Sequence, residues 1–82
     1  MHRPTARQIG DHLRLIRKRR GLPQNEFAEE IGMGRPRYGA IERGEKNLTL
    51  HSIEALAQAL DMTPLELVCP DHFEAYLKRA DP

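Results

Sequence analysis

Glycine and proline punctuate this chain so often that no long element can form. Gly21, Gly32, Gly34 and Gly44 interrupt the first half, Pro64 and Pro70 the second, and the stretches between carry apolar residues three or four positions apart. Such spacing puts side chains on one face of an α-helix, and the period-two alternation of a strand is missing. Thr5 and Gln8 make a capping box ahead of Ile9, Leu13 and Ile16, and Gly21 offers this first helix a left-handed stop. Pro23 opens a second helix, which carries Phe27, Ala28 and Ile31 and ends at Gly32. A third fits between Gly34 and Gly44, with Pro36 in its first turn. Thr49 caps a fourth whose apolar stripe is Leu50, Ile53, Leu56, Ala57 and Leu60, and Thr63-Pro64-Leu65-Glu66 starts a fifth with another capping box. Phe73, Tyr76 and Leu77 predict a short sixth helix over Asp71 to Arg79. The expected fold is all-α, a compact five-helix bundle with a short sixth helix at its C-terminal end.

Several functions are argued against by what the chain lacks. Its 82 residues make one domain, which at this size buries only about 60% of its unfolded surface and encloses little volume for catalysis. No paired carboxylates, Ser/His/Asp spacing or phosphate-cradling glycine loop occurs, so neither an enzyme nor a cofactor is expected. A single cysteine, Cys69, rules out an intramolecular disulfide and points to a reducing, cytoplasmic setting. Cys69 and His72, with His51 far away in the chain, fall short of a metal-ligand set. No apolar run approaches the roughly 18 residues of a membrane span, and the opening MHRPTARQIGDH lacks the apolar stretch of a signal peptide. The expected location is therefore cytoplasmic, on the nucleoid and away from membranes.

Charge is distributed unevenly along the chain. Met1 to Asn47 carries eleven Lys or Arg against six Asp or Glu, and Leu48 to Pro82 carries two against six. A basic half suits a polyanion and an acidic half suits something else, although charges scattered over a solvated surface would give the same counts. The second helix, the turn at Gly32 and the third helix have the lengths of a helix-turn-helix, which presents the start of its second helix to the major groove. Arg35 and Arg37 fall in that first turn, and their donor forks match guanine edges and phosphates. Gly39 and Ala40 lack bulk on the same helix, which would let its backbone approach the bases and Ala40 touch a thymine methyl. Gln24, at the start of the second helix, is a candidate phosphate contact. Arg43, Lys46 and Asn47 follow the third helix and either reach the DNA backbone or are ordinary loop polarity. The run Arg17-Lys18-Arg19-Arg20 is either a phosphate-contacting stripe or four charges that one helical turn spreads in several directions.

From Ile9 to Val68 the sequence resembles the Cro/repressor helix-turn-helix family, also called the XRE family. The resemblance is carried by Gln24 with Phe27-Ala28, by Gly32, by GMGRPRYGAI and by Ile41-Glu42-Arg43-Gly44. It implies a lambda-repressor-like bundle with its core over about 9–68, an extension over 69–82, and a recognition helix over about 35–43 lying in the major groove of double-stranded DNA. It also implies that Gln24 clamps a phosphate and braces the recognition helix, that Arg35 holds the first base-contacting position, and that Pro36, Arg37 and Ala40 face the groove. A structural ion pair between Arg17 and Glu42 is implied as well, and Tyr38 falls where the family places an apolar anchor. Pro23 and Gly34 depart from the family's Ser or Thr caps. Within the family, ERGEKNLTLHSIE resembles the controller proteins of restriction-modification systems.

Phe73, Tyr76 and Leu77 either cap the chain's own core or form a two-fold interface together with the fifth helix. The acidic second half favours the interface, because it would be kept away from DNA. The resulting expectation is a transcriptional regulator acting as a homodimer on a roughly palindromic operator. The alternative is an antitoxin or protein-interaction domain that gives its C-terminal segment to a protein partner.

Overall fold

The computed structural model describes residues 5–80. The first four and last two residues, which belong to the expected single domain and to the reading of the N-terminal stretch, lie outside this span. Among the described residues there are six helices and no strand: α1 (Ala6–Arg19), α2 (Gln24–Glu30), α3 (Arg35–Glu42), α4 (Leu50–Ala59), α5 (Pro64–Val68) and α6 (Pro70–Ala80).

Local chemistry sets most of these limits. Thr5 Oγ1 accepts from the Gln8 amide at 3.1 Å while the Gln8 side chain accepts from the Thr5 amide at 3.2 Å, so the expected capping box is formed. Thr63 and Glu66 repeat it at 3.1 and 2.8 Å, and Thr49 caps α4 through the Ser52 amide. Pro23 and Gly34 make no side-chain cap, so both helices of the helix-turn-helix begin without one. Between them Gly32 takes a left-handed φ of 72°, which lets Met33 N–H return to the Ala28 carbonyl at 2.8 Å. Asp61 does the same at the end of α4 with φ 58°, a conformation unusual for a residue with a Cβ. Cys69 is extended ahead of Pro70, as a residue before proline prefers, so α6 separates from α5 and starts one residue earlier than the spacing predicts.

Leu13, Phe27, Tyr38, Ile41, Leu60 and Leu67 are the largest fully buried side chains. The Leu, Ile and Phe side chains among them each contribute about 1.5–3 kcal/mol relative to exposure. The α1 and α3 backbones touch at Gly10, where a Cβ would lie 2.6 Å from both the Ile41 and the Glu42 carbonyl oxygens. The α5 helix packs on α1, α4 and α6. The α4 stripe is shorter than expected: Leu50 is 71% exposed, because the first residue of α4 runs past the core that Leu56, Ala57 and Leu60 fill.

The α6 helix is tied to the bundle by a junction absent from the sequence expectation. His12 stacks on Phe73 with ring centres 3.9 Å apart and planes 11° from parallel. Its Nδ1 lies 2.6 Å from the Leu67 carbonyl oxygen, which can only accept, so the proton sits on Nδ1. No helix among the described residues is long and apolar enough to cross a membrane.

Candidate nucleic-acid interface

The α3 helix is inserted at one end and presented at the other. Arg35, Pro36 and Arg37 form an exposed first turn, whereas Tyr38 to Glu42 are buried against α1 and α2. Arg35 is exposed and makes no hydrogen bond or ion pair among the described residues. Arg37 Nη2 makes a long, 3.4 Å bond to Ser52 Oγ at the start of α4. Pro36, Arg37 and Ala40 line one groove with Lys46, Asn47, Glu45 and Leu48. Five expected contact residues thus share one surface. Ala40 is only 8% exposed, so little of its methyl is open to that groove.

A buried ion pair holds this helix from behind. Arg17 Nε and Nη2 both donate to the Glu42 carboxylate at 2.9 Å, and Arg17 Nη1 donates to the Leu22 carbonyl at 2.9 Å. Gln24 Nε2 adds a 3.2 Å bond to Glu42 Oε1, linking the first residue of α2 to the end of α3. Burial disfavours the Glu42 charge, yet the donors from Arg17 and Gln24 outweigh that cost and hold its carboxyl below the usual range. Tyr38 belongs to the same buried group; burial, followed by the neighbouring carboxylate, pushes its phenol upward. Its hydroxyl is buried without a hydrogen-bond partner among the described residues. The ring packs edge-on against Phe27 at 5.4 Å, which is the anchoring role the resemblance implies.

Arg43 lies across α3. Its Nη1 is 3.1 Å from where a Cβ on Gly39 would sit, and Gln24 Oε1 is 3.6 Å from the same point. Its Nε and Nη2 donate to the two Glu45 carboxylate oxygens at 2.8 and 3.1 Å. This pair borders a cleft lined also by Arg7, Asp11, Arg14, Arg17, Gln24 and Glu42. The basic run on α1 is dispersed: Arg17 turns to Glu42, Arg19 to the Leu77 carbonyl, and Arg20 to Glu30 and the Phe27 ring.

Sequence reasoning does not single out Glu45, Ser52, Arg7 or Arg14. Arg7 and Arg14 share a face of α1, a seven-residue spacing that could have marked them. Glu45 and Ser52 join the surface only through tertiary placement. At the other end, Phe73 is 4% exposed and belongs to the chain's own core, because His12 covers its ring face. Tyr76 and Leu77 are half-buried, Arg79 lies over the Tyr76 ring and bonds Glu66, and Leu65 of α5 is 50% exposed. No cluster of three or more metal-ligating side chains occurs among the described residues, Cys69 and His72 included.

Comparison with known proteins agrees with this geometry. The helix-turn-helix family model HTH_3 matches residues 13–67. An HTH-type transcriptional regulator of Sinorhizobium fredii, y4dJ, is 34% identical over 62 residues, covering 76% of this chain and 80% of that protein. The control protein C.MunI of a Mycoplasma species is 34% identical over 61 residues, covering 73% and 82%. The crystal structure of the restriction-modification controller protein C.AhdI from Aeromonas hydrophila superposes with a TM-score of 0.65 at 40% identity, covering 76% of this chain and 94% of that one.

Proposed function

The chain belongs to the helix-turn-helix family of DNA-binding transcriptional regulators, and we propose that it acts as a homodimer on a roughly palindromic operator. The observation that carries the reading is the exposed first turn of α3, with Arg35 unengaged, on a helix clamped by Arg17, Gln24 and Glu42. A rigid helix that offers free guanidinium donors at its leading end is suited to the major groove. Arg35 and Arg37 read base edges, with Pro36 and the open part of Ala40 in apolar contact. Lys46, Asn47 and Arg43 meet the phosphates that fix register, and Gln24 serves as brace and phosphate contact.

The two-fold contact is assigned to Tyr76 and Leu77 of α6 together with the exposed Leu65 of α5. Phe73 supports that surface from within. The similarity to control proteins favours a regulator of the restriction-modification kind, governed by its own concentration. Selection from a random DNA pool at near-physiological salt tests the proposal, since salt-sensitive nonspecific binding alone proves little. The expected product is a symmetric motif with half-sites about one helical turn apart. Recovery of no motif would overturn operator reading and favour a protein partner for the C-terminal segment.

A further inference from the structure

The Arg43–Glu45 pair has a geometry that a DNA phosphate can reproduce. A guanidinium grips a carboxylate and a phosphate in the same two-pronged way, through parallel N–H donors. Here Nε and Nη2 are both taken up by Glu45, at 2.8 and 3.1 Å, in a pair that stands more than half exposed. The Arg43 donors hold the Glu45 carboxyl below its usual range. The position matters as much as the pairing. Glu45 lines both the groove beside Pro36, Arg37 and Lys46 and the cleft beside Arg14 and Gln24. It therefore places one negative charge between the two arrays of residues that would face the nucleic acid. Gly39 gives the Arg43 guanidinium its resting place, since a Cβ there would stand 3.1 Å from Nη1.

We propose that Glu45 is an internal stand-in for a DNA phosphate: it holds Arg43 over Gly39 in the free protein and yields it to the backbone on docking. This rests on the DNA-binding reading above. The exchange needs little energy, because exposed ion pairs are weak. It keeps the arginine ordered before contact, and it taxes every encounter in which no phosphate arrives at the right place to replace the carboxylate. Glu45 is thus a positioning residue that acts through Arg43, and nonspecific, loosely seated DNA is disfavoured most.

The test is a double-mutant cycle on the full chain with the selected duplex, using Glu45→Gln, Arg43→Ala and the double variant over a range of salt. Glu45→Gln is expected to tighten binding about two- to fivefold, the scale of an exposed pair. It should also steepen the salt dependence by about one counterion, because a freed carboxylate no longer recaptures a cation on binding. In the Arg43→Ala background both effects should shrink to the through-space part that any negative charge near DNA contributes. Equal tightening in the two backgrounds would overturn the proposal, since Glu45 would then act only as a negative charge near DNA, and so would unchanged affinity. If the wild-type chain selects no duplex at all, what fails is the DNA-binding reading, and that outcome is distinct from either result.

Discussion

Glu42 gathers the end of α3, the start of α2 and the last turn of α1 onto one buried carboxylate. Its folded-state pKa lies below the ordinary 4.5, so its stabilisation is complete above that value and is lost as pH falls through the lower folded value. Glu42→Gln should cost about 3 kcal/mol at neutral pH, since Arg17 would be left largely buried without its counter-charge. Acid titrations followed by circular dichroism should then show the wild type losing stability below pH 4.5 and the variant lacking that part of the loss. Arg35 predicts the opposite pattern. Arg35→Ala should weaken specific binding by about 1–3 kcal/mol and leave the melting curve unchanged, because the side chain is exposed and makes no hydrogen bond or ion pair among the described residues. Equal affinity of the variant for the selected site would remove Arg35 from direct readout. The Arg17–Glu42 pair and the exposed place of Arg35 at the start of α3 were legible in the sequence, since charge type and family position both pointed to them. The Arg43–Glu45 pair and the Arg37–Ser52 contact were not, because neither spacing nor propensity says which way a surface arginine folds back.

Among the helices, two glycines make contrasting predictions that sequence alone would rank the wrong way round. Gly10 sits inside α1, where alanine is normally better by about 1 kcal/mol. Its Cβ would nevertheless meet two α3 carbonyls at 2.6 Å. Gly10→Ala should therefore destabilise by about 1–3 kcal/mol, with a fall in melting temperature of about 4–8 °C per kcal/mol, and it should weaken DNA binding by displacing α3. Gly34 caps α3 at φ −65° and ψ 144°, and a Cβ there meets nothing within 4 Å. Gly34→Ser should stabilise by a few tenths of a kcal/mol, measured by the same melt. Helix number and order were readable because caps and glycine stops are local chemistry. The end of α4 was hidden by Asp61, which takes the left-handed conformation usually left to glycine. The exposure of Leu50 was hidden because helical periodicity assigns a face and says nothing of where the packing partner ends.

For the whole molecule, the open question of the C-terminal segment is divided by packing. One long-range junction, His12 between the Leu67 carbonyl and the Phe73 ring, commits Phe73 inward, and no local pattern in the sequence announces it. Tyr76 and Leu77 keep outward area on α6, and Leu65 is half exposed on α5, which packs against α6. A molecule of 32 × 30 × 18 Å is commensurate with one duplex turn of about 34 Å. Two copies joined through their acidic halves could therefore reach successive major grooves while those halves stay clear of phosphate. Sedimentation over a concentration series should find a species of twice 9.4 kDa, and Tyr76→Asp should shift it toward the monomer by placing a charge in an apolar contact. Tyr76 also stacks near Phe73, with ring centres 6.3 Å apart, so the melt of the monomeric form must be read beside the association constant. A lower melting temperature with unchanged association would assign Tyr76 to the bundle's own core. Weakened association with DNA affinity falling more steeply on dilution would assign it to the interface, because a half-site bound by one subunit loses the second recognition helix and, with it, the register that a symmetric operator provides.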